Sequence, residues 1–129
     1  SLKISTEIGD RSGIASSSSN LGKAHRGLGK YQNAIPFYEK SLEISLEISD
    51  WSGIINSYRN LGKCFIEVKR YDKALFHYQR ALESCKDLGA VYVRLGEQDT
   101  AALCYKKALE IHKDEVEEAR SKVSDTAEK

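Results

Sequence analysis

The sequence predicts an all-α solenoid of antiparallel helix pairs whose third pair is truncated in its leading helix. Three observations carry this expectation. Ala, Leu, Glu and Lys are abundant, while the 129 residues hold one Pro and no Met, a balance that favours helix. The chain copies itself at an offset of 40 residues: SLKISTEIGD (1–10) returns as SLEISLEISD (41–50), with seven of ten positions identical. RSGIASSSSNLGK (11–23) likewise returns as WSGIINSYRNLGK (51–63), and YQNAIPFYEKSLE (31–43) as YDKALFHYQRALE (71–83). A period of that size marks stacked supersecondary units, none of which buries its apolar face alone. Finally, the apolar residues within each copy recur with helical spacing.

Taken in order, residues 1–10 read as the tail of a preceding unit's second helix and 11–50 as the first full unit. Residues 51–86 form the second, 87–112 a truncated third, and 113–129 a charged capping helix or tail. In 51–68 the residues Ile54, Tyr58, Leu61, Cys64, Phe65 and Val68 make an amphipathic stripe. Tyr71, Ala74, Leu75, Tyr78, Ala81 and Leu82 do the same over 71–85. Between these stripes, EVKRYD leaves room only for a tight turn, so the two helices are antiparallel neighbours. In the first unit the matching turn is GLGKYQ, where Gly29 supplies the left-handed conformation that ends a helix. Between units, Asp10 and Asp50 stand as N-caps. Gly22 and Gly62 each cost roughly 1 kcal/mol of helix propensity, which makes sense where another helix crosses closely, with Ala34, Ala74 or Ala81 as small partners. Pro36 falls in the second turn of its helix and removes one hydrogen bond there. Beyond residue 108, Leu109, His112, Val116, Ala119 and Val123 keep one weak apolar stripe.

The third unit arrives early. ALCYKKALE (102–110) matches LFHYQRALE (75–83) at an offset of 27, whereas SCKDLG (84–89) matches SLEISD (45–50) at 39, so about 13 residues of turn and leading helix are missing. Two outcomes follow. Either the helix from 71 ends near Gly89 and a two-turn stub over 90–95 follows, or residues 72–95 run on as one merged helix. A merged helix is expected to direct the last helix toward a neighbouring molecule and form a homodimer through residues 83–97.

Composition narrows the chemistry. A formal net charge of +1 gives no global field for nucleic acid or an anionic membrane, so neither is an expected partner. No apolar run approaches the roughly 18 residues that span a bilayer. No signal peptide opens the sequence, and it lacks an initiator Met, as a fragment or a processed product would. Cys64, Cys85 and Cys104 are odd in number, lack CxxC spacing and sit in apolar helical stretches, which reads as buried thiols in a reducing, cytoplasmic setting. His25, His77 and His112 have no Cys or His at i+3 or i+4, so no zinc site and no cofactor are expected. Gly-rich phosphate loops, HExxH and GxSxG are all missing, and with them any expectation of an enzyme. Cys64 and His25 lie at similar points of successive leading helices, but both sit on the apolar stripe. The run Ser16–Ser19 reads as a polar helix face with small packing residues.

On the face opposite the stripe, Ser16, Asn20 and Lys23 are spaced i, i+4, i+7 beside Arg26, and Asn56, Asn60 and Lys63 repeat the spacing beside Arg59. Leu21-Gly22, Tyr31, Ala34, Tyr38 and Leu42 in the first unit recur as Leu61-Gly62, Tyr71, Ala74, Tyr78 and Leu82 in the second, with Tyr58 and Ala81 added. Leu88-Gly89, Ala101, Tyr105, Ala108 and Leu109 carry the same signature in the third. This pattern resembles the tetratricopeptide repeat family, and its 40-residue unit looks most like the Pins/LGN adaptor group and related long arrays. The resemblance implies a protein-binding scaffold whose leading helices line a concave groove. Asn20, Lys23, Arg26, Asn56, Arg59, Asn60 and Lys63 then face a partner peptide, expected to carry acidic residues. Arg59 and Lys63 partly resemble the basic pair of carboxylate-clamp domains, but Lys23 and Lys63 stand where those domains place Asn. A structural, self-associating segment is the competing expectation.

Overall fold

The computed structural model describes the backbone of residues 2–128. Its helices are α1 (Leu2–Gly27), α2 (Tyr31–Glu47), α3 (Trp51–Glu67), α4 (Tyr71–Arg94), α5 (Gln98–Glu110) and α6 (Glu117–Glu128), the last two joined by a π-helical turn over Ile111–Val116. No strand occurs among the described residues. Each helix up to α5 packs on its successor, and the π turn and α6 return along α4. The architecture is the all-α solenoid of helix pairs that the repeat implied.

One local device makes all four reversals. Gly29, Ser49, Lys69 and Gly96 adopt positive φ of 77°, 56°, 63° and 79°. The N–H of the following residue then bonds to a carbonyl five residues back: Lys30 to His25, Asp50 to Ser45, Arg70 to Phe65 and Glu97 to Tyr92, all at 2.8–2.9 Å. This six-to-one closure satisfies carbonyls that the helix end would otherwise leave open. Asp50 adds an N-cap, its carboxylate accepting from the Gly53 N–H at 3.2 Å. Asp10, with similar neighbours, caps nothing, because α1 runs unbroken through it. The Asp50 turn lets α3 lie back on α2.

The glycines do mark close crossings, though aromatic rings rather than alanines meet them. A Cβ at Gly22 would sit 2.9 Å from the Tyr38 ring, one at Gly62 2.5 Å from Tyr78, and one at Gly89 2.9 Å from Tyr105. Each trailing helix thus lays a tyrosine flat on the leading helix where a side chain has been removed. Ala34, Ala74 and Ala81 are fully buried elsewhere in the same core. Pro36 lies inside α2 without ending it.

The early third unit takes the merged form: α4 continues through Gly89 to Arg94, carrying the second unit's trailing helix and the third unit's leading helix on one axis. The outward push expected of such a helix does not occur in the single chain. The Gly96 turn sends α5 back along α4, and Tyr105 closes on Gly89 as its counterparts do upstream.

Merging leaves a position unfilled beside α3 and α4, because the third leading helix has left it. Ser41 and Ser45 of α2 face α3, with Ser41 Oγ 3.4 Å from Ser57 Oγ. Their counterparts in α4 at the 40-residue offset, Ala81 and Cys85, share a buried cluster with Ile111, Val116 and Ala119. The π turn and α6 therefore occupy the place of the missing leading helix. The extra residue of the π turn also rephases the helix. The buried stripe becomes Ala108, Ile111, Val116 and Ala119, whereas Leu109 is 64 % exposed and His112 half-buried. The expected stripe through Leu109 and His112 is thus displaced.

Candidate functional site

The concave side of α1 and α3 forms an open groove of about 390 Å³. Helical spacing puts every third or fourth residue of each leading helix on this side, so the two Asn–Lys sets arrive in parallel. Asn20 and Lys23 of α1 line it with Asn56, Arg59, Asn60 and Lys63 of α3. Ser16 and Ser19 complete the α1 wall, and Ser41, Ser45 and Ser57 the floor. Small hydroxyl residues at the floor let an incoming backbone approach closely. Ser18, by contrast, is buried, as expected for part of the serine run.

Arg26 does not line the central groove. It borders an adjoining notch of about 400 Å³ with Lys23, Gly27, Tyr31, Lys63 and Glu67. From there its Nη1 donates to Asn60 Oδ1 at 3.0 Å, tying α1 to α3. That bond fixes the Asn60 amide with its NH₂ still able to donate. Asn20 and Asn56 are exposed.

Arg59 is engaged. Its guanidinium grips Glu115 of the π turn, with Nε 3.0 and 3.2 Å from the two carboxylate oxygens and Nη2 closing the fork on Oε1. The pair is shielded, at 27 % and 12 % side-chain exposure. Hydrogen bonding to Glu115 holds the Arg59 pKa above its ordinary value despite burial. Lys63 experiences the reverse: burial, then the neighbouring Arg59 charge, lowers its pKa. Glu115 opposes that shift, and the Lys63 side chain stays exposed on the groove wall, open to an incoming anion.

Glu115 is the site residue that repeat matching missed. It lies beyond the third unit, where no upstream copy exists for comparison, and only the π turn aims it at α3. The Cys64–His25 pair has no reactive thiol: burial pushes Cys64 up to about 11, and His25 instead stacks on Phe37 at 5.2 Å. Cys85 is buried and Cys104 half-buried, and all three are free thiols. No described cluster of three or more His, Cys, Asp or Glu residues has the geometry to hold a metal.

A tetratricopeptide repeat model matches residues 13–87, and a second of the same description matches residues 84–117. No curated protein matches the chain. Among solved structures, the chain is similar to the TPR domain of Arabidopsis FLU, with a TM-score of 0.55 at 16 % identity, over 77 % of this chain and 94 % of that one. It is also similar to BtubC from P. vanneervenii, with a TM-score of 0.53 at 26 % identity, over 86 % of this chain and 52 % of that one, so it spans about half of BtubC.

Proposed function

The chain belongs to the tetratricopeptide repeat family, whose repeats are generally protein–protein interaction modules, and we propose that it is a non-catalytic scaffold holding an acidic peptide segment in the α1–α3 groove. The observation that carries this reading is the convergence of exposed Lys23 and Lys63 with three asparagines on one polar groove. Asn20 and Asn56, exposed one unit apart, offer donors and acceptors to an extended backbone. The lysines select carboxylates, and Arg26 extends the cationic surface at the notch. The 40-residue offset supports the likeness to the Pins/LGN adaptor group. No described helix is long and apolar enough to cross a membrane, and the three unpaired cysteines suit a cytoplasmic adaptor.

Titrating an acetylated hexaglutamate peptide into the protein, with and without Lys23→Ala and Lys63→Ala together, tests the groove. The double variant is expected to bind about tenfold more weakly at low salt and to show a flatter salt dependence. Equal affinity and equal salt slope in the two proteins would refute the groove assignment.

A further inference from the structure

We infer that Glu115 is a built-in acidic occupant of the groove edge, so that the C-terminal segment competes with an acidic partner for Arg59. The inference rests on the groove reading above and concerns how that site is regulated. Arg59 lines the groove from α3, yet its fork is closed by a carboxylate from the same chain. Geometry makes the contact specific. A regular helix would keep the Val116 side in the phase set by α5; the π turn adds a residue, buries both Ile111 and Val116, and leaves Glu115 between them aimed at α3.

Two features make the occupant displaceable. Ile111, Val116 and Ala119 anchor the segment in the core, while Glu115 itself is held to α3 through the Arg59 fork, an ion pair whose carboxylate another carboxylate can replace. The segment also sits in a position that the repeat pattern assigns to a leading helix of another sequence, so it fills the place without the Asn–Lys set that α1 and α3 present there. The groove in its resting form therefore exposes Lys23 and Lys63, while Arg59 is withheld. A partner carboxylate that captures Arg59 must release Glu115, and the cost of unseating the segment lowers apparent affinity by the fraction of open molecules.

The test uses the full chain and two readouts. Hexaglutamate is titrated into the wild type and into Glu115→Gln, which keeps side-chain shape but removes the competing charge. The variant is expected to bind about fivefold more tightly at low salt. Amide hydrogen exchange is followed in parallel. Residues 116–123 are expected to exchange faster in Glu115→Gln, and in the wild type when hexaglutamate is added, while α1 and α3 amides stay protected. Equal or weaker hexaglutamate binding by the variant, with α1 and α3 intact, overturns the inference but leaves the groove reading standing. Unaltered protection of 116–123 in the peptide-bound wild type overturns it as well. Binding by neither protein removes the groove reading and this inference with it.

Discussion

The passage from α2 to α3 and the middle of α4 are the same place in two copies of the repeat. Between Glu47 and Trp51 the chain reverses, with Ser49 at positive φ and Asp50 capping the next helix. Some 39 residues later SCKDLG passes straight through as helix, and the third leading helix is carried off along the α4 axis. About 13 missing residues of turn and leading helix thus relocate an entire helix. They do not leave the solenoid open, because an unrelated downstream segment closes the vacated position. A stacked array needs that position covered by apolar surface of the right size, and is indifferent to which part of the chain supplies it.

The largest effect expected from this contrast comes from the covering segment itself. Ile111 is 0 % exposed, as its first-unit counterpart Ile44 is nearly so, whereas Leu109 of the ALE motif shared with the second unit is exposed. Ile111→Ala should lower stability by about 3 kcal/mol through lost burial and a cavity beside Cys85. Leu109→Ala should change it by less than about 0.5 kcal/mol. Urea unfolding of the two variants reads this directly. The opposite ranking would mean that Leu109, and not Ile111, anchors the segment in the core.

The three Gly–Tyr crossings sharpen the comparison at smaller scale. Ala at Gly62 forces a Cβ to within 2.5 Å of a nearly buried Tyr78 ring and should cost about 2 kcal/mol. Gly22→Ala, at 2.9 Å from a Tyr38 ring that is wholly buried, should cost about 1 kcal/mol. Gly89→Ala meets Tyr105 at the same distance, but that ring is exposed and can swing away. There the helix-propensity gain of about 1 kcal/mol should make the change neutral or stabilising. The melting order wild type or Gly89→Ala, then Gly22→Ala, then Gly62→Ala is the expected result. Loss of stability in Gly89→Ala equal to that in Gly62→Ala would show the fused unit to be packed as tightly as the second.

A turn substitution should act in the other direction. Lys69 holds positive φ where the first and last hairpins use Gly29 and Gly96. Lys69→Gly relieves the left-handed strain but loosens the unfolded chain, for a net gain of about 0.5 kcal/mol. A lowered unfolding midpoint in this variant would assign Lys69 a contact that outweighs its backbone strain.

How far each feature was legible follows from whether an upstream copy existed. That Asn20, Lys23, Asn56, Asn60 and Lys63 line one groove was legible because recurrence at one offset marks a shared face, and the Asp50 cap because its turn is flanked by two helices that must stack. Asp10 misled for a physical reason: a cap motif is permissive, and a helix stops there only when tertiary packing draws the chain back. Gly62 announced a close crossing but not its partner, since a missing Cβ accommodates a flat ring as well as an alanine. Glu115 was illegible. Its direction depends on one extra residue in a helical turn, and i, i+4 reasoning cannot register that.

The gentlest test uses a pair of rings that the two units hold in exchanged order. In the first unit His25 stacks on Phe37; in the second, 40 residues on, Phe65 lies 5.1 Å from His77. Tyr58 and Phe76 also surround His77, and its Nδ1–H donates to the Lys73 carbonyl at 2.8 Å. Burial lowers the His77 pKa from 6.5, opposed by that hydrogen bond and by Glu39, and aided slightly by Lys73. The unfolded chain therefore takes up a proton near pH 6.5 that the folded chain still refuses. Stability contributed by neutral His77 is present above 6.5 and is lost as pH falls from there toward the lower folded value. Between pH 7.5 and 5.5 the urea midpoint should decline in the wild type, and His77→Phe, which gives the second unit the ring the first has at 37, should decline less. Parallel slopes for the two proteins would place the acid sensitivity at groups other than His77.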